Sequence, residues 1–334
     1  MKTIVENSWK EDEPVMVSIL VLCFNHAKFI RQCLDNILNQ RVSFKVEIIV
    51  HDDASTDGSA DILREYDRKH PGIFRLILQK ENQYQKGIKP WFQHMMPNAR
   101  GKYMAICDGD DYWTSPDKLQ RQVGFLESHP EYMLTASAYK TVDDATGAEK
   151  IIVRELPSPE EQSADGFDIT VKRWLDQWLT KSVTLVFRSA AFNFQHLGKY
   201  TNPRDTHLIY TILAQGKGYY FKEVLGAYRI HGGGVFSSIG LQKQLLDNYY
   251  IYKELYALHP EDFAEKLYQW ILRMLAQDKV EIPGFPSRRN LLWNAFLIAD
   301  TGEKIAALYK QTAWNTPRLF RLAIRFFKVF GKIK

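Results

Sequence analysis

The sequence predicts an α/β fold of the doubly wound type, with helices flanking a mainly parallel sheet and a helical extension at the C-terminal end. Three observations indicate this fold: continuous apolar runs of strand length, amphipathic stretches of helical period between them, and polar side chains where several of the runs end. Alternation of strand and helix is typical of βαβ units. A chain of 334 residues is long enough for one large domain of this type with an appendage.

The first third of the chain contains four predicted strands and two predicted helices. The strands are VMVSILVLCFN (15–25), KVEIIVHDD (45–53), FRLILQ (74–79) and KYMAICDGDD (102–111). A helix with one apolar stripe follows the first strand, over 29–38. A second helix opens within STDGSADILREY, where Ser55, Thr56 or Asp57 can act as the N-cap.

The pattern is less regular after about residue 126. The segment ITVKRWLDQWLT (169–180) predicts an amphipathic helix, and we assign its tryptophans to the core rather than to a sugar-binding surface. KSVTLVFRS (181–189) predicts another strand. Residues 202–234 predict a helix, a glycine turn, a strand and a glycine-rich loop, and the chain beyond about 240 is predicted to be helical.

The composition narrows the classes of protein to consider. The net charge of +5 comes from the last 17 residues, so the rest of the chain is close to neutral and lacks the basic character expected of a nucleic-acid-binding domain. No apolar run reaches the roughly 18 to 20 residues that span a bilayer, and the N-terminal stretch becomes charged before a signal-peptide core can form. The three cysteines lie in apolar segments and are expected to be buried thiols. We therefore expect a cytoplasmic protein.

The C-terminal segment RLFRLAIRFFKVFGKIK (318–334) has the pattern of a basic amphipathic helix. Its basic residues recur at steps of three and four, opposite a face of leucine, isoleucine and phenylalanine side chains. Such a helix is typical of one that lies on an anionic membrane surface. The alternative is a helix that packs on the rest of the protein and leaves its charges in solvent.

An acidic cluster follows the fourth strand, in ICDGDDYW (106–113). Asp108, Asp110 and Asp111 repel one another unless a cation lies among them, and a divalent metal that carries a diphosphate suits such a site. The other polar strand ends should meet these acids at one edge of the sheet, because ligands of doubly wound sheets bind beyond the carboxyl ends of the strands. Those residues are Asn25, Asp52 and Asp53.

Three other sites are excluded by their motifs. A calcium loop starting at Asp53 would need a glutamate at its twelfth position, where Arg64 stands. The glycine motif of nicotinamide dehydrogenases does not follow the first strand, and the phosphate-binding loop of P-loop NTPases does not occur.

The chain resembles the inverting family 2 glycosyltransferases, which have the GT-A fold. The resemblance is carried by VSILVLCFNHAKFIRQCLDNILNQ, VEIIVHDDASTDGSADILREY and GKYMAICDGDDYWTSPDKLQRQVGFLE, which together cover 15–127. It continues more weakly through PRDTHLIYTILAQGKGYYFKEVLGAYRIHGGGVFS to about 238. Several motifs agree in order and spacing, which makes the resemblance more specific than a single D-x-D would.

The resemblance implies a role for each of several residues. Asp205 would be the catalytic base, and Asp53 would hydrogen-bond the base of a nucleoside diphosphate, which Phe24 would flank. Asp108 and Asp110 would form the D-x-D motif, with Asp110 the direct metal ligand and Asp111 assisting it. His231 would contact the metal or the diphosphate. We place Asn25 and Asp52 in the nucleotide site as well.

Two positions depart from the family pattern. The first strand ends in Leu-Cys-Phe-Asn (22–25) instead of a Pro-Thr-Tyr-Asn type of sequence, so backbone contacts to the base are expected to differ. The usual Glu-Asp pair of the catalytic base is Arg204-Asp205 here, and Arg204 would lower the basicity of Asp205 if the two pair.

The predicted function is transfer of a sugar, with inversion, from a nucleoside-diphosphate sugar, preferably UDP-linked, to an acceptor hydroxyl. The expected cofactor is Mn²⁺ or Mg²⁺, and the expected acceptor is a saccharide or a lipid-linked saccharide of cell-surface polysaccharide or glycolipid synthesis. Such an acceptor would place the protein at the inner face of the cytoplasmic membrane. The alternatives are a nucleotidyltransferase and a catalytically silent protein that binds nucleotide sugars.

The expected organisation has five parts. They are an N-terminal leader (1–14), a nucleotide-sugar-binding half (15–127), an acceptor-binding half (128–238), a helical extension (239–315) and the basic amphipathic helix (316–334).

Overall fold

The structure is a computed structural model that describes residues 1–299, apart from 157, 159, 160, 164, 193, 235–239 and 278–282. The predicted amphipathic helix at the C-terminal end lies outside the described residues. The chain forms two compact units, Met1–Gly232 and Gly233–Lys334.

The first unit is a layered α/β structure. Its strands are β1 (Lys2–Thr3), β2 (Val17–Cys23), β3 (Arg41–Val42), β4 (Val46–Asp52), β5 (Phe74–Leu78), β6 (Tyr103–Ile106), β7 (Tyr112–Trp113), β8 (Tyr132–Asp143), β9 (Glu149–Ile152), β10 (Gly166–Ile169), β11 (Val186–Arg188) and β12 (Lys217–Ile230). Its α-helices are α1 (Ile30–Leu38), α2 (Ser59–Lys69), α3 (Lys118–Ser128), α4 (Val171–Asp176), α5 (Phe194–Leu197) and α6 (Asp205–Leu213).

The main sheet has a parallel half and a mixed half. Strands β5, β4, β2 and β6 lie side by side in that order and are all parallel. The short strand β11 pairs antiparallel with both β6 and β8, and β8 then pairs in parallel with β12. Strands β6, β8 and β12 therefore point the same way, so their carboxyl ends share an edge with those of β2 and β4.

Burial explains the regularity of the parallel half. All seven residues of β4 are buried, and six of the seven residues of β2 are buried. Helix α1 covers them with one apolar face, formed by Ile30, Cys33, Leu34, Ile37 and Leu38. Each such side chain contributes about 1.5–3 kcal/mol of transfer free energy when it is fully buried. The four strands and two helices predicted for this half are confirmed, and the three cysteines are buried thiols.

Two predicted helix boundaries were wrong. Helix α2 begins after Gly58, which has φ +94°, and not after Ser55, Thr56 or Asp57, whose groups bind the neighbouring loop instead. The helix predicted over 169–180 ends at Asp176, since Gln177 has an extended backbone (φ −128°, ψ 124°); the indole of Trp174 donates to the Thr180 hydroxyl beyond that end (3.0 Å). Trp174 is 1% exposed, which confirms its assignment to the core.

The second unit is helical over its described residues, as predicted. It contains α7 (Leu241–Leu258), α8 (Pro260–Leu275) and α9 (Arg288–Ile298). Helix α8 starts with Pro260 and carries Glu261 and Asp262 in its first turn, where proline and acidic side chains are favoured. Within the residues that the structure describes, no helix has the length and apolar character required to cross a bilayer.

Candidate functional site

Most residues of the predicted site gather at one edge of the sheet. Phe24 and Asn25 follow β2, Asp52 ends β4 and Asp53 follows it, and the acidic cluster follows β6. His231 follows the last residue of β12, which reaches the same edge. The expectation that the polar strand ends meet at one edge is confirmed by the strand directions.

The loop after β2 is fixed by side chains that precede α2. Asp57 accepts the backbone N–H of Ala27 (2.8 Å), and the Ser59 hydroxyl accepts that of His26 (2.9 Å). The Ser55 hydroxyl accepts the N–H of Asn25, which lies in the left-handed region at φ +56°. Burial opposes ionisation of Asp57, but hydrogen bonds from Ser59 and Ala27 outweigh it and lower the pKa of this carboxyl. These contacts give the motif STDGS a role in positioning residues 25–27.

Asp53 holds a loop in addition to being available to a nucleotide base. Its two carboxylate oxygens accept the backbone N–H groups of Gln83 (2.8 Å) and Tyr84 (3.0 Å). Asp52 accepts the N–H of Ser55 with one oxygen, and its other oxygen is buried without a hydrogen-bond partner among the described residues. The loop that Asp53 anchors follows the same sheet edge as Phe24, whose side chain is 37% exposed.

Asp108 and Asp111, the first and third acids of the cluster, have environments that disfavour their charged forms. Burial, and next the charge of Asp110, raise the pKa of Asp108 to about 8, while one of its oxygens accepts the Ser182 hydroxyl (3.3 Å). Burial likewise raises the pKa of Asp111, which accepts the backbone N–H of Arg229 (2.9 Å) on β12. Asp111 therefore fixes β12 to the acidic loop in this structure.

Asp110 lies between two imidazoles. Its Oδ2 atom is 3.0 Å from Nε2 of His231 and 3.7 Å from Nε2 of His26. Burial raises its pKa, but the hydrogen bond with His231 and the nearby His26 outweigh burial and hold the pKa of Asp110 below its ordinary value. One ligand atom from each of the three residues lies within 4.8 Å of the other two.

This donor set fits a divalent cation. A carboxylate and two imidazoles are ligands used by such ions in proteins, and the Nε2 atoms of both histidines lie within 3.7 Å of the same carboxylate oxygen. Of the predicted ligands, the structure brings Asp110 and His231 together and directs Asp111 to Arg229. The sequence analysis missed His26, whose position directly after the strand-end Asn25 was the available signal.

Lys181 is a second residue that the sequence analysis missed. Its ammonium lies over the Tyr228 ring, 3.4 Å from the ring centroid. Burial lowers its pKa, and the charges of Asp111, Asp205, Asp108 and Asp110 oppose that shift. Lys181 thus supplies positive charge to the acidic cluster. No local pattern marks it, because it reaches the cluster only through the fold.

Asp205 is the first residue of α6 and lies near the acidic cluster. Its charge contributes to the raised pKa of Asp108, and its Oδ1 atom accepts the N–H of Thr206 (2.8 Å). The guanidinium of Arg204 donates to the hydroxyl of Tyr84 (3.0 Å), in the loop that Asp53 holds. Arg204 therefore links the start of α6 to this loop.

Residues 18–184, half of the chain, match the profile described as Glycosyl transferase family 2. The chain belongs to this family. The resemblance drawn from its motifs is confirmed. The matched segment contains the polar residues that follow β2, β4 and β6.

The relatives of this family 2 member include proteins with and without a described activity. An uncharacterised protein of Mycobacterium tuberculosis H37Rv is 31% identical over 222 residues, which are 66% of this chain and 61% of that protein. The chain thus spans less than two thirds of that relative's length. The Escherichia coli protein WfaP, a UDP-Glc:alpha-D-GlcNAc-diphosphoundecaprenol beta-1,3-glucosyltransferase, is 31% identical over 124 residues, 37% of this chain and 46% of WfaP.

Solved structures confirm the fold of this family 2 member. The crystal structure of S. aureus TarS 1-349 in complex with UDP-GlcNAc superposes with a TM-score of 0.63 and 18% identity, over 94% of this chain and 92% of the other. The complex of the same protein with UDP gives a TM-score of 0.59. The GT-A architecture expected from the sequence is therefore shown.

Proposed function

We propose that this protein is an inverting glycosyltransferase that moves a sugar from a UDP sugar to an acceptor hydroxyl. The observation that supports this most directly is that Asp53 and Asp110 follow β4 and β6 at one edge of the sheet, while Asp205, at the start of α6, is close enough for its charge to act on Asp108. Sugar transfer needs one group that binds the nucleotide base, one that holds the cation at the diphosphate and one that takes the proton of the acceptor hydroxyl.

The donor side of the proposal rests on the pocket beside Asp53. Phe24 offers an exposed aromatic face for stacking a base, and Asp53 retains lone pairs that can accept a base N–H beyond its two bonds to the loop. The choice of UDP is supported by the donor in the name of WfaP and by the UDP complexes of TarS.

The chemical step assigns the proton to Asp205. Its carboxylate takes the proton of the acceptor hydroxyl as the oxygen attacks the anomeric carbon, and the bond from that carbon to the diphosphate oxygen breaks on the opposite face. Lys181, whose amine interacts with the acidic cluster, would when protonated supply positive charge to the diphosphate. Asp110, His26 and His231 would hold a divalent cation, which, when bound, neutralises charge on the leaving group.

The acceptor is proposed to be a saccharide or a lipid-linked saccharide of cell-surface polysaccharide or glycolipid synthesis. The acceptor of WfaP, a diphosphoundecaprenol-linked sugar, supports this class. Peripheral contact of residues 318–334 with an anionic membrane belongs to the same proposal and rests on the sequence pattern alone, because that segment lies outside the described residues.

A thermal-shift screen tests the donor site. The protein is melted with UDP, GDP, CDP and dTDP sugars, each with and without Mn²⁺. A ligand present at 100 times its dissociation constant stabilises the folded state by about 2.7 kcal/mol, so we expect a shift with UDP sugars that requires the cation. If no nucleotide sugar shifts the melting temperature, the proposal is contradicted.

A second measurement separates binding from chemistry. Asp205→Asn should bind the UDP sugar as the unchanged protein does, because the substitution is outside the donor pocket, yet lose transfer by a factor of about 10² to 10⁴. Sugar release from the UDP sugar, followed by chromatography, gives the rate. Asp165→Asn, a substitution far from the site in sequence, is the control. Full activity in Asp205→Asn would overturn the assignment of the base.

A further inference from the structure

Three residues from separate segments meet at the proposed cation site. Asp110 comes from the loop after β6, His231 from the end of β12 and His26 from the loop after β2. Their side chains are 16%, 9% and 13% exposed, so the site is largely shielded from bulk water but reachable from it. His26 is the member of this group to which the family motifs gave no role.

We propose that His26 is a third protein ligand of the divalent cation, and that two imidazoles with one carboxylate make the site select a first-row transition ion over Mg²⁺. The inference rests on the proposed function for the presence of a cation at this edge. It adds the identity of a ligand and the class of the metal.

The backbone around His26 is held in place by hydrogen bonds to side chains before and at the start of α2. Its own N–H donates to the Ser59 hydroxyl, and the N–H groups of its two neighbours donate to Ser55 and Asp57. In addition, the carboxamide oxygen of Asn25 accepts the N–H of Thr56 (2.9 Å). A metal ligand benefits from such preorganisation, because the imidazole is already directed at Asp110 before the ion arrives.

Gly109 provides the space in which the His26 imidazole sits. A Cβ atom at this position would lie 3.0 Å from Nδ1 of His26 and 2.9 Å from Cδ1 of Ile30. The residue between the two aspartates of the D-x-D is therefore small for a reason connected with His26. The ring of Phe29 packs beside His231, 4.8 Å between centroids, and limits the positions of the other imidazole.

The ligand types set the metal preference. Mg²⁺ prefers oxygen ligands and retains several waters, whereas imidazole nitrogen suits the later first-row ions. A given nitrogen and oxygen site binds Mn²⁺ more weakly than Co²⁺. The order of affinity expected here is therefore Co²⁺ above Mn²⁺ above Mg²⁺, with a gap of about tenfold or more between Mn²⁺ and Mg²⁺.

Metal binding without nucleotide tests this inference. The full chain is titrated with Mn²⁺ alone, and the room-temperature EPR signal of free Mn²⁺ reports binding; Mg²⁺ and Co²⁺ are then added as competitors. His26→Gln should weaken Mn²⁺ binding by about tenfold or more, since even partners outside the ligand shell contribute 10- to 100-fold. His70→Gln, at the far end of α2, is the matched control and should bind as the unchanged protein does.

A ligand exchange tests the selectivity separately. His26→Asp restores a ligand but replaces nitrogen by oxygen, so it should bind Mn²⁺ better than His26→Gln and narrow the gap between Mn²⁺ and Mg²⁺. Mn²⁺ affinity in His26→Gln within twofold of the unchanged protein, or equal displacement by Mg²⁺ and Co²⁺, would overturn the proposal.

A spectroscopic readout covers the case in which the variants do not fold. Pulsed EPR of Mn²⁺ bound to the unchanged protein should show couplings to two imidazole nitrogens, and coupling to one alone would contradict the role of His26. UDP binding is measured in a parallel titration. Two nitrogen couplings with no UDP binding would reject the donor proposal while leaving the metal site intact.

Discussion

The side chain of Lys118 has no exposed surface. Its Nζ atom donates to the side-chain oxygen of Gln122 (2.7 Å) and lies 4.5 Å from the centroid of the Trp113 ring. Burial lowers its pKa to about 7. The unfolded chain binds this proton more tightly than the folded chain between about pH 7 and 10.5, so Lys118 makes the free energy of unfolding rise with pH across that window.

The first prediction follows from that linkage. Between pH 7 and 9 the unchanged protein should gain about 2 kcal/mol in free energy of unfolding relative to Lys118→Met, because one unit of pKa difference is worth about 1.4 kcal/mol. Urea denaturation at both pH values measures this. Lys172→Met, which removes an exposed lysine, should keep the gain. An equal pH dependence in Lys118→Met and the unchanged protein would show that Lys118 titrates normally.

Gly109 leads to a second prediction at the residue scale. A methyl group there would approach the backbone oxygen of Leu22 to 3.2 Å as well as two side chains, so Gly109→Ala should lower the free energy of unfolding by about 1–3 kcal/mol. Gly124→Ala is the control, because open space surrounds its Cβ position within α3 and alanine favours the helix by about 1 kcal/mol. Chemical denaturation compares the two. Equal stability in both variants would mean that the loop after β6 adjusts freely.

At the scale of elements, the loop between β5 and the π-helix Trp91–Met95 is held partly by groups from outside it. Asp53 accepts two of its backbone N–H groups, and Arg204 reaches it from α6 through Tyr84. Lys89 lies over the Tyr84 ring, 4.1 Å from its centroid. The order of this segment therefore depends in part on these outside groups, beside the bonds that the segment makes within itself.

The third prediction tests that dependence. Asp53→Asn offers one acceptor oxygen and presents N–H groups to the second donor, so it should weaken the loop by about 1–2 kcal/mol. Trypsin should then cut after Lys80 or Lys86 about 5- to 30-fold faster. Asp61→Asn, an exposed change in the first turn of α2, should leave the cleavage rate unaltered. An unchanged rate in Asp53→Asn would show that Asp53 does not anchor the loop.

For the whole molecule, the candidate site belongs to one unit. Every residue assigned to it lies within Met1–Gly232, and the second unit has a core of its own around Phe263, which is fully buried. Changes in the core of the second unit should therefore affect stability without altering the chemistry of the site.

The fourth prediction uses this division. Phe263→Ala should lower the free energy of unfolding of the second unit by about 3–5 kcal/mol, because removing the ring leaves a cavity in the core of that unit. Binding of Mn²⁺ and of the UDP sugar should be unchanged at 10 °C. Circular dichroism melts and the binding titrations measure the two effects. Leu258→Ala removes a side chain that is 44% exposed and should change little. Weakened binding in Phe263→Ala would show that the units are coupled.

The sequence predicted the parallel half of the fold better than the mixed half. Strands such as Val46–Asp52 are buried on both faces, so their apolar runs are unbroken, whereas the start of Tyr132–Asp143 mixes threonine, serine and tyrosine and was not predicted as a strand. The acids of the site follow regular strands and could be placed by counting. His26 could also have been placed, since it directly follows Asn25, whereas Lys181 could not, because its position near the acidic cluster depends on chain segments that meet only after folding.

The length of β12 limits the insertions that the chain can tolerate. This strand runs for 14 residues alongside β8, and its contribution to the site comes from the residue directly after its end. Side chains alternate along a strand, so one residue inserted within 217–230 would turn the following histidine to the opposite face unless a bulge absorbed it. The backbone N–H of Asp144 donates to the carbonyl oxygen of Ile230 (2.9 Å), but the rest of the turn between β8 and β9, at 145–148, is not subject to this alternation. Variation in length should therefore accumulate at that turn and be rejected along β12.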